Sequence, residues 1–143
     1  MAEGDITFSN QAKAWLLGGI LDLDTDAIKV ALVNGYSFNV DNNHGYGNFS
    51  ANEISATGYS AGGISLASLT ITTNDTGDYA KWDAADVTWS SLATATISAA
   101  LIYDDALTTP VAKGLLAKME IGTNSNGGNY TISWAAGGIA QLS

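Results

Sequence analysis

The strongest constraint on the fold is a series of short runs in which apolar and polar residues alternate. From Gly62 onward these runs are about six to ten residues long, and clusters of Gly, Asn and Asp separate them. A period of two predicts strands that bury one face, and turns at this spacing are typical of antiparallel sandwiches and barrels. We therefore predict a mainly β fold, an antiparallel β-sandwich of the jelly-roll or immunoglobulin-like kind. The segments that contain these strands are ISLASLTITTND, DYAKWDAADVTWSSL, TATISAALIYDD, PVAKGLLAKMEIG, where Pro110 starts the strand, and NYTISWAAGGIAQLS.

One short N-terminal α-helix is predicted before the strands, over residues 9–21 (SNQAKAWLLGGIL). Ser9 is a favourable N-cap residue, and the pair Gly18-Gly19 weakens or ends the helix. Helical spacing places four apolar residues on one face, namely Ala12, Trp15, Leu16 and Ile20.

Two different segments follow the helix. Residues 28–33 alternate as a strand, with Ile28, Val30 and Leu32 on one face. Residues 39–61 are rich in Asn and Gly, and we interpret them as a long ordered loop, which in a compact domain is usually functional. The loop carries four apolar residues that could pin it to a surface, namely Tyr46, Phe49, Ile54 and Tyr59.

Length and charge limit the classes of partner. The 143 residues suit one domain over 1–143, with no linker to divide it. Fourteen Asp and Glu oppose five scattered Lys and no Arg, for a formal charge of -9. We therefore expect neither nucleic acid nor a membrane as partner, because phosphate surfaces need clustered cations. The start, MAEGDITFSN, lacks the features of a signal peptide, so we expect synthesis and use in solution.

The stretch GYSAG, residues 58–62, matches the G-x-S-x-G pattern of hydrolases. A nucleophile elbow needs a strand before the serine, a helix after it and a later histidine, but a strand pattern follows Ser60 and the single His44 precedes it. The segment WAAGGI repeats the motif with Ala135 in the serine's place. We interpret both as glycine turns and predict no catalytic residue.

Acidic residues suggest a metal site or acid–base catalysis, but each acidic group lacks the further ligands or catalytic partners that such a site needs. Asp22, Asp24 and Asp26 begin like a calcium loop, yet Ala27 and Val33 occupy the positions of the turn glycine and the bidentate glutamate. A helix-to-strand turn is the favoured interpretation, and a weak cation site stays open. Without cysteine or a second histidine, we predict that His44 is an isolated loop residue and that the protein has no metal or cofactor. Asp83 with Asp86, and Asp104 with Asp105, are interpreted as solvated turn residues.

Aromatic residues offer a possible binding surface. Trp89 and Trp134 are in phase with apolar neighbours on their strands, and together with Trp15 they are predicted to be core. Trp82 alternates with Ala80 and Ala84, which does not place it in the core, so it stays a candidate for a binding surface. We therefore predict partner contacts at Tyr46, Phe49, Tyr59 and Trp82.

The whole chain resembles a family of small tailed-bacteriophage virion structural proteins. The similarity lies in five blocks that span nearly the full length in the same order. They are NQAKAWLLGGILDLDTDAIKVALV, EISATGYSAGGISL, WDAADVTWSSL, ALIYDD and YTISWAAGGIAQLS. None of these blocks is a catalytic motif, so the resemblance carries no site residue over.

The resemblance implies a structural role in the virion, as a capsid decoration (cement) protein on the outer head surface. Its partner would be the major capsid protein, and decoration proteins commonly act as homo-oligomers, so a trimer is expected. The alternative is a tail or fibre module that binds a host-surface glycan through exposed Trp and Tyr. A hydrolase is the remaining, third class.

Overall fold

The computed structural model describes residues 6–143. Strands account for 35% of the chain and helices for 11%, and every strand pairing is antiparallel, so the predicted mainly β, sandwich-like fold with a short N-terminal helix is confirmed. Residues 1–5, half of the segment inspected for a signal peptide, lie outside the described residues.

The elements follow one another in a simple order. They are β1 (Ile6–Phe8), α1 (Asn10–Leu17), β2 (Ile28–Val33), α2 (Tyr46–Phe49), a 3-10 turn (Ser50–Asn52), β3 (Ile64–Ser65), β4 (Thr70–Asn74), β5 (Tyr79–Asp83), β6 (Val87–Trp89), β7 (Ala99–Asp104), β8 (Leu115–Glu120), β9 (Tyr130–Ile132) and β10 (Ala140–Leu142).

The strands form three sheets. The largest has the order β1-β8-β7-β2-β3, a second has the order β10-β5-β4, and β6 pairs with β9. In the largest sheet β2 and β7 pair along their full lengths, from Ile28 opposite Asp104 to Val33 opposite Ala99. Because these two strands contact each other over six residues, they are the framework against which the other elements pack.

Helix α1 begins as predicted but ends earlier. Ser9 caps it, since the Ser9 hydroxyl accepts a hydrogen bond from the N–H of Ala12 at 3.2 Å, and Gly18 closes it at the C-terminal end. Trp15 is buried as predicted, and Ala12 on the same face is buried too. Leu16 and Ile20, which helical spacing placed on that face, are 42% and 44% exposed. A helix of eight residues presents only one narrow stripe to the sheet, and Ile20 lies beyond its end.

The largest sheet is apolar on both faces. Ile28, Val30 and Leu32 lie in the larger hydrophobic cluster, together with side chains of α1 and of the two smaller sheets, which confirms the predicted face. Ala31 and Val33 point to the opposite face and lie in a second cluster. That second cluster includes Phe49 and the half-buried Tyr36, Phe38 and Tyr46. The polar segment between β2 and β3 therefore forms a layer of the fold, and it contains α2 and the 3-10 turn, which the loop prediction did not include.

The position predicted for Pro110 is wrong. Strand β8 begins at Leu115, and Pro110 lies exposed in the preceding loop. The ring of Trp15 packs against the chain at Gly114, the residue just before the strand. A Cβ atom at Gly114 would lie only 2.5 Å from a ring carbon of Trp15.

The two glycine segments noted in the sequence form turns that are closed by equivalent hydrogen bonds, although Gly62 has a positive φ angle, 94°, and its counterpart Gly137 does not. The N–H of Gly63 donates to the Ser60 carbonyl at 3.0 Å, and the N–H of Gly138 donates to the Ala135 carbonyl at 2.8 Å. Both glycines have positive φ angles, 75° and 81°. Each passes close to another strand, since a Cβ at Gly63 would overlap the Val30 carbonyl, and one at Gly138 would lie 2.5 Å from the carbonyl oxygen of Trp82.

We expect Gly63→Ala to lower the free energy of unfolding by at least about 3 kcal/mol, because a methyl group there meets the backbone of β2. Gly35→Ala is the matched control, since Gly35 also has a positive φ, 78°, but has open space around it. The control should lose only about 1 kcal/mol from backbone strain. Urea unfolding measures both, and equal losses would show that close approach to β2 is unimportant.

Candidate functional site

The second face of the largest sheet carries a group of packed rings, which we call the aromatic cap (Tyr36, His44, Tyr46, Phe49 and Tyr103). Phe49 is fully buried, with its ring edge-on to Tyr103 at a centroid distance of 5.5 Å. Tyr46 stacks on Tyr103 at 5.4 Å, and Tyr36 meets Phe49 edge-on at 5.9 Å. These edge-on and offset geometries are favourable for aromatic pairs. The cap therefore fixes the segment after β2 to the sheet.

His44 connects three parts of the fold. Its Nδ1 atom hydrogen-bonds the Tyr36 hydroxyl, and its carbonyl accepts from the side-chain amide of Gln11 in α1 at 2.7 Å and from the N–H of Leu115 in β8 at 2.9 Å. The predicted isolated loop histidine is therefore a half-buried member of the aromatic cap. Its hydrogen bonds are structural contacts within the chain.

Two of the four predicted partner contacts are wrong because their side chains are inside the protein. Phe49 is 0% exposed and Trp82 is 4% exposed. The indole N–H of Trp82 donates to the Leu23 carbonyl at 2.9 Å, and its ring contacts Phe8. The residues two positions away on the same strand face are small, Ala80 and Ala84, so the large side chains that pack on Trp82 come from other elements, which a period-two pattern cannot register.

Tyr46 and Tyr59 are half-buried, so their role as partner contacts stays a prediction. The Tyr59 hydroxyl accepts a hydrogen bond from the N–H of Leu32 at 3.2 Å, and its ring stacks on Trp89 at 6.3 Å. Burial, aided by the carboxylate of Glu53, raises the pKa of Tyr59. Tyr59 thus stays neutral and ties the end of the loop to β2.

The predicted core tryptophans differ in depth. Trp15 and Trp89 are buried, as the pattern indicated. Trp134 is half-buried against the core, and its indole N–H donates to the Ala85 carbonyl at 3.0 Å.

Ser60 lies exposed in the glycine turn, and strand β3 follows it, as predicted, where a nucleophile elbow has a helix. The turn is organised by its glycines and by two side chains that bind them. The N–H of Gly62 donates to both carboxylate oxygens of Glu53, at 3.0 and 3.1 Å. The Tyr103 hydroxyl donates to the Gly62 carbonyl at 2.7 Å.

The first acidic group forms the turn that the sequence favours. The N–H of Asp22 donates to the Asp26 carboxylate, and the N–H of Asp26 donates to the Asp22 carbonyl, each at 2.8 Å. Hydrogen bonds from Thr25 and then Asp24 lower the pKa of Asp22, whereas the neighbouring Asp22 raises that of Asp24. Within residues 6–143 no three acidic or histidine side chains lie close enough together to hold a metal ion.

The acidic pair at the end of β7, Asp104 and Asp105, departs from the prediction. Asp104 is completely buried at the end of β7, so its interpretation as a solvated residue is wrong. One carboxylate oxygen accepts from the N–H groups of Ala106 and Leu107, at 2.9 and 3.2 Å, and the other has no hydrogen-bond partner among residues 6–143. Burial, together with nearby Asp26, raises the pKa of Asp104 to about 6. Asp105, beside it, pairs with Lys113 at 2.8 Å, and this contact lowers its pKa.

The described surface has shallow polar depressions. Two of about 340 and 400 Å³ are open to solvent. The first is lined by Thr123, Asn124, Asn126, Asn129, Tyr130 and Thr131. Small-molecule sites are usually enclosed and largely apolar, so neither depression has that character.

Comparisons with protein-family models, with curated proteins and with solved structures give no match to this chain. Among the described helices none is both long and apolar enough to cross a membrane.

We expect Phe49→Ala to lower the free energy of unfolding by about 3 to 5 kcal/mol, because it empties the centre of the aromatic cap. It should also expose residues 39–61 to protease at low urea. Phe49→Leu keeps most of the volume and should lose about 1 kcal/mol. Intact protease resistance of this segment in Phe49→Ala would contradict its anchoring by the cap.

Asp104 should make folding sensitive to pH. A carboxyl whose pKa is raised in the folded protein favours folding when protonated, so this contribution is present near pH 4 and is lost as pH rises through about 6. Asp104→Asn keeps the acceptor for Ala106 and Leu107 without the charge. At pH 7 we expect it to be more stable than the natural protein by about 2 kcal/mol, with the difference vanishing near pH 4. A difference that is constant with pH, measured by thermal unfolding, would contradict this assignment.

Proposed function

We propose that this protein is a non-enzymatic bacteriophage virion structural protein, a capsid decoration (cement) protein that binds the major capsid protein on the outer head surface. The proposal begins from the resemblance of five ordered sequence blocks to virion proteins. Mass action gives the mechanism: a protein that binds only the assembled lattice stabilises it. Weak contacts suffice, because lattice symmetry repeats each contact many times.

The observation that carries the proposal is the kind of apolar surface the chain exposes. Leu17 is 85% exposed at the end of α1, and Leu16 and Ile20 lie beside it in the chain at 42% and 44%. We call these three residues the helix-end patch. Three of the five large apolar side chains that are exposed among the described residues lie within residues 16–20, and exposed apolar patches are typical of protein–protein contacts. A capsid protein is a partner of this kind.

The polar segment of residues 39–61 also supports a contact with the capsid protein. The aromatic cap holds residues 39–61 in place before any partner binds, so little conformational entropy is lost on docking. A rigid outer layer with polar side chains suits a contact that forms only after the head has assembled. We propose that the protein docks as a homotrimer, because decoration proteins commonly act as homo-oligomers.

The alternative, a tail or fibre module that binds a host glycan, now has less support. Sugar stacking uses exposed rings, whereas every Trp, Tyr and Phe within residues 6–143 is buried or half-buried. Trp82, the strongest candidate for stacking, lies in the core. Trp82→Ala would therefore disturb folding and is no specific test of glycan binding.

The proposal is tested by adding purified protein to undecorated phage heads. We expect saturation at a fixed number of copies per head and greater resistance of the heads to heat. Gold labelling found only at the tail tip, or binding to a glycan array without binding to heads, would overturn the proposal.

Leu17→Lys tests the helix-end patch. The side chain is exposed, and a cation at the C-terminal end of a helix favours the helix, so folding should be unchanged. Binding to heads should weaken about tenfold, as expected for a central apolar contact. Leu142→Lys, at another exposed leucine, is the matched control and should bind normally. Equal binding by both variants would exclude the helix-end patch as the contact.

A further inference from the structure

Strand β4 is an open sheet edge. It pairs with β5 on one side, from Thr70 opposite Asp83 to Asn74 opposite Tyr79. No described strand pairs with its other side, and all five of its residues are exposed. An edge of this kind presents main-chain donors and acceptors that match another β-strand.

Unlike the other outer strands, β4 lacks the features that keep an edge strand from pairing with another chain. The outer strands β1, β3 and β10 have only three, two and three residues. The β4 sequence TITTN has five residues, no charge, no proline and four consecutive β-branched side chains. Charged residues, proline and short length are the devices that keep sheet edges from pairing, and β4 has none of them.

The charge around β4 selects an antiparallel arrangement with an identical strand. The turn beyond Asn74 carries Asp75 and Asp78, in a chain with a net charge of -9. Parallel pairing would bring two such turns together. In an antiparallel pair centred on Thr72, each acidic turn lies beside residues 67–69 of the other copy, which are Ala, Ser and Leu. Like charges are then kept apart.

The same arrangement covers an exposed apolar side chain. Ile71 is 49% exposed, although it lies opposite Trp82 on the face of the sheet that leads to the core. Centring the pair on Thr72 places Ile71 directly opposite Thr73 of the other copy. β-branched pairs of this type stabilise antiparallel strands.

We infer that β4 is a self-association site, at which two copies of this chain join through antiparallel β4–β4 pairing into one continuous six-stranded sheet. Each copy has a single β4, so the contact is two-fold and closes as a dimer. The inference concerns the isolated protein in solution, whereas the proposed homotrimer is the state bound to the head, and the inference does not rest on that place in the virion. Because this two-fold contact is made by β4, the helix-end patch stays available for the proposed contact with the capsid protein.

Sedimentation velocity over a range of concentrations tests the inference. We expect a monomer–dimer equilibrium, with slower amide hydrogen exchange in residues 70–74 as the dimer fills. Thr72→Lys places two ammonium groups opposite each other and should weaken the dimer at least about fivefold. The change in net charge acts in the opposite direction, because each added Lys lowers the negative charge of the chain and so weakens the repulsion between two copies.

Gln141→Lys is the matched control. Gln141 and Thr72 both lie opposite Lys81, on the two sides of β5, so both variants place the same charge in the same row of the sheet. The control should dimerise like the natural protein. Mixing Thr72→Lys with Thr72→Glu should restore association, because opposite charges then face each other.

Three results would overturn the inference. They are a natural protein that stays monomeric at all concentrations, a dimer that both lysine variants weaken equally, and an oligomer that Thr72→Lys does not affect. A trimer insensitive to Thr72→Lys would be such a case, and it would leave the proposed decoration function standing.

Discussion

The fold depends on the pairing of β2 with β7, because this ladder is apolar on both of its faces. Ile28, Val30 and Leu32 point to one side, and Ala31 and Val33 point to the other. Side chains buried on both faces require a cover on both faces. The two smaller sheets and α1 provide one cover. The other comes from the chain between β2 and β3, which places Phe49 and the tyrosines of the aromatic cap on the sheet.

Much of this architecture follows from local sequence rules. Alternation identified β2 and β6, because the residues that alternate are also those that pack, whereas β7 is a continuous apolar run that ends at two aspartates. Ser9 fixed the start of α1 through a contact three residues away. The turns with glycine could also be predicted locally, because glycine adopts a positive φ angle without a steric penalty.

The remaining features arise from contacts between residues distant in sequence. Trp82 is buried because Leu23 and Phe8 approach it from elements far along the chain. Asp104 is buried because β7 ends beneath the turn around Asp26. The sequence beside each shows charged residues, Lys81 and Asp83 around Trp82 and Asp105 after Asp104, which give no sign of burial. Placing the aromatic residues at a binding surface was therefore wrong where the fold uses them to join its layers.

The aromatic cap changes how the segment 39–61 can vary. Loops usually tolerate insertions, because their middle residues contact only solvent. Here the His44 carbonyl is held by α1 and β8 at once, and Phe49 fills the centre of a hydrophobic cluster five residues later. An added or deleted residue between them would pull one anchor out of place. The length of this segment is therefore as constrained as that of a core strand, whereas its exposed side chains are free to diversify.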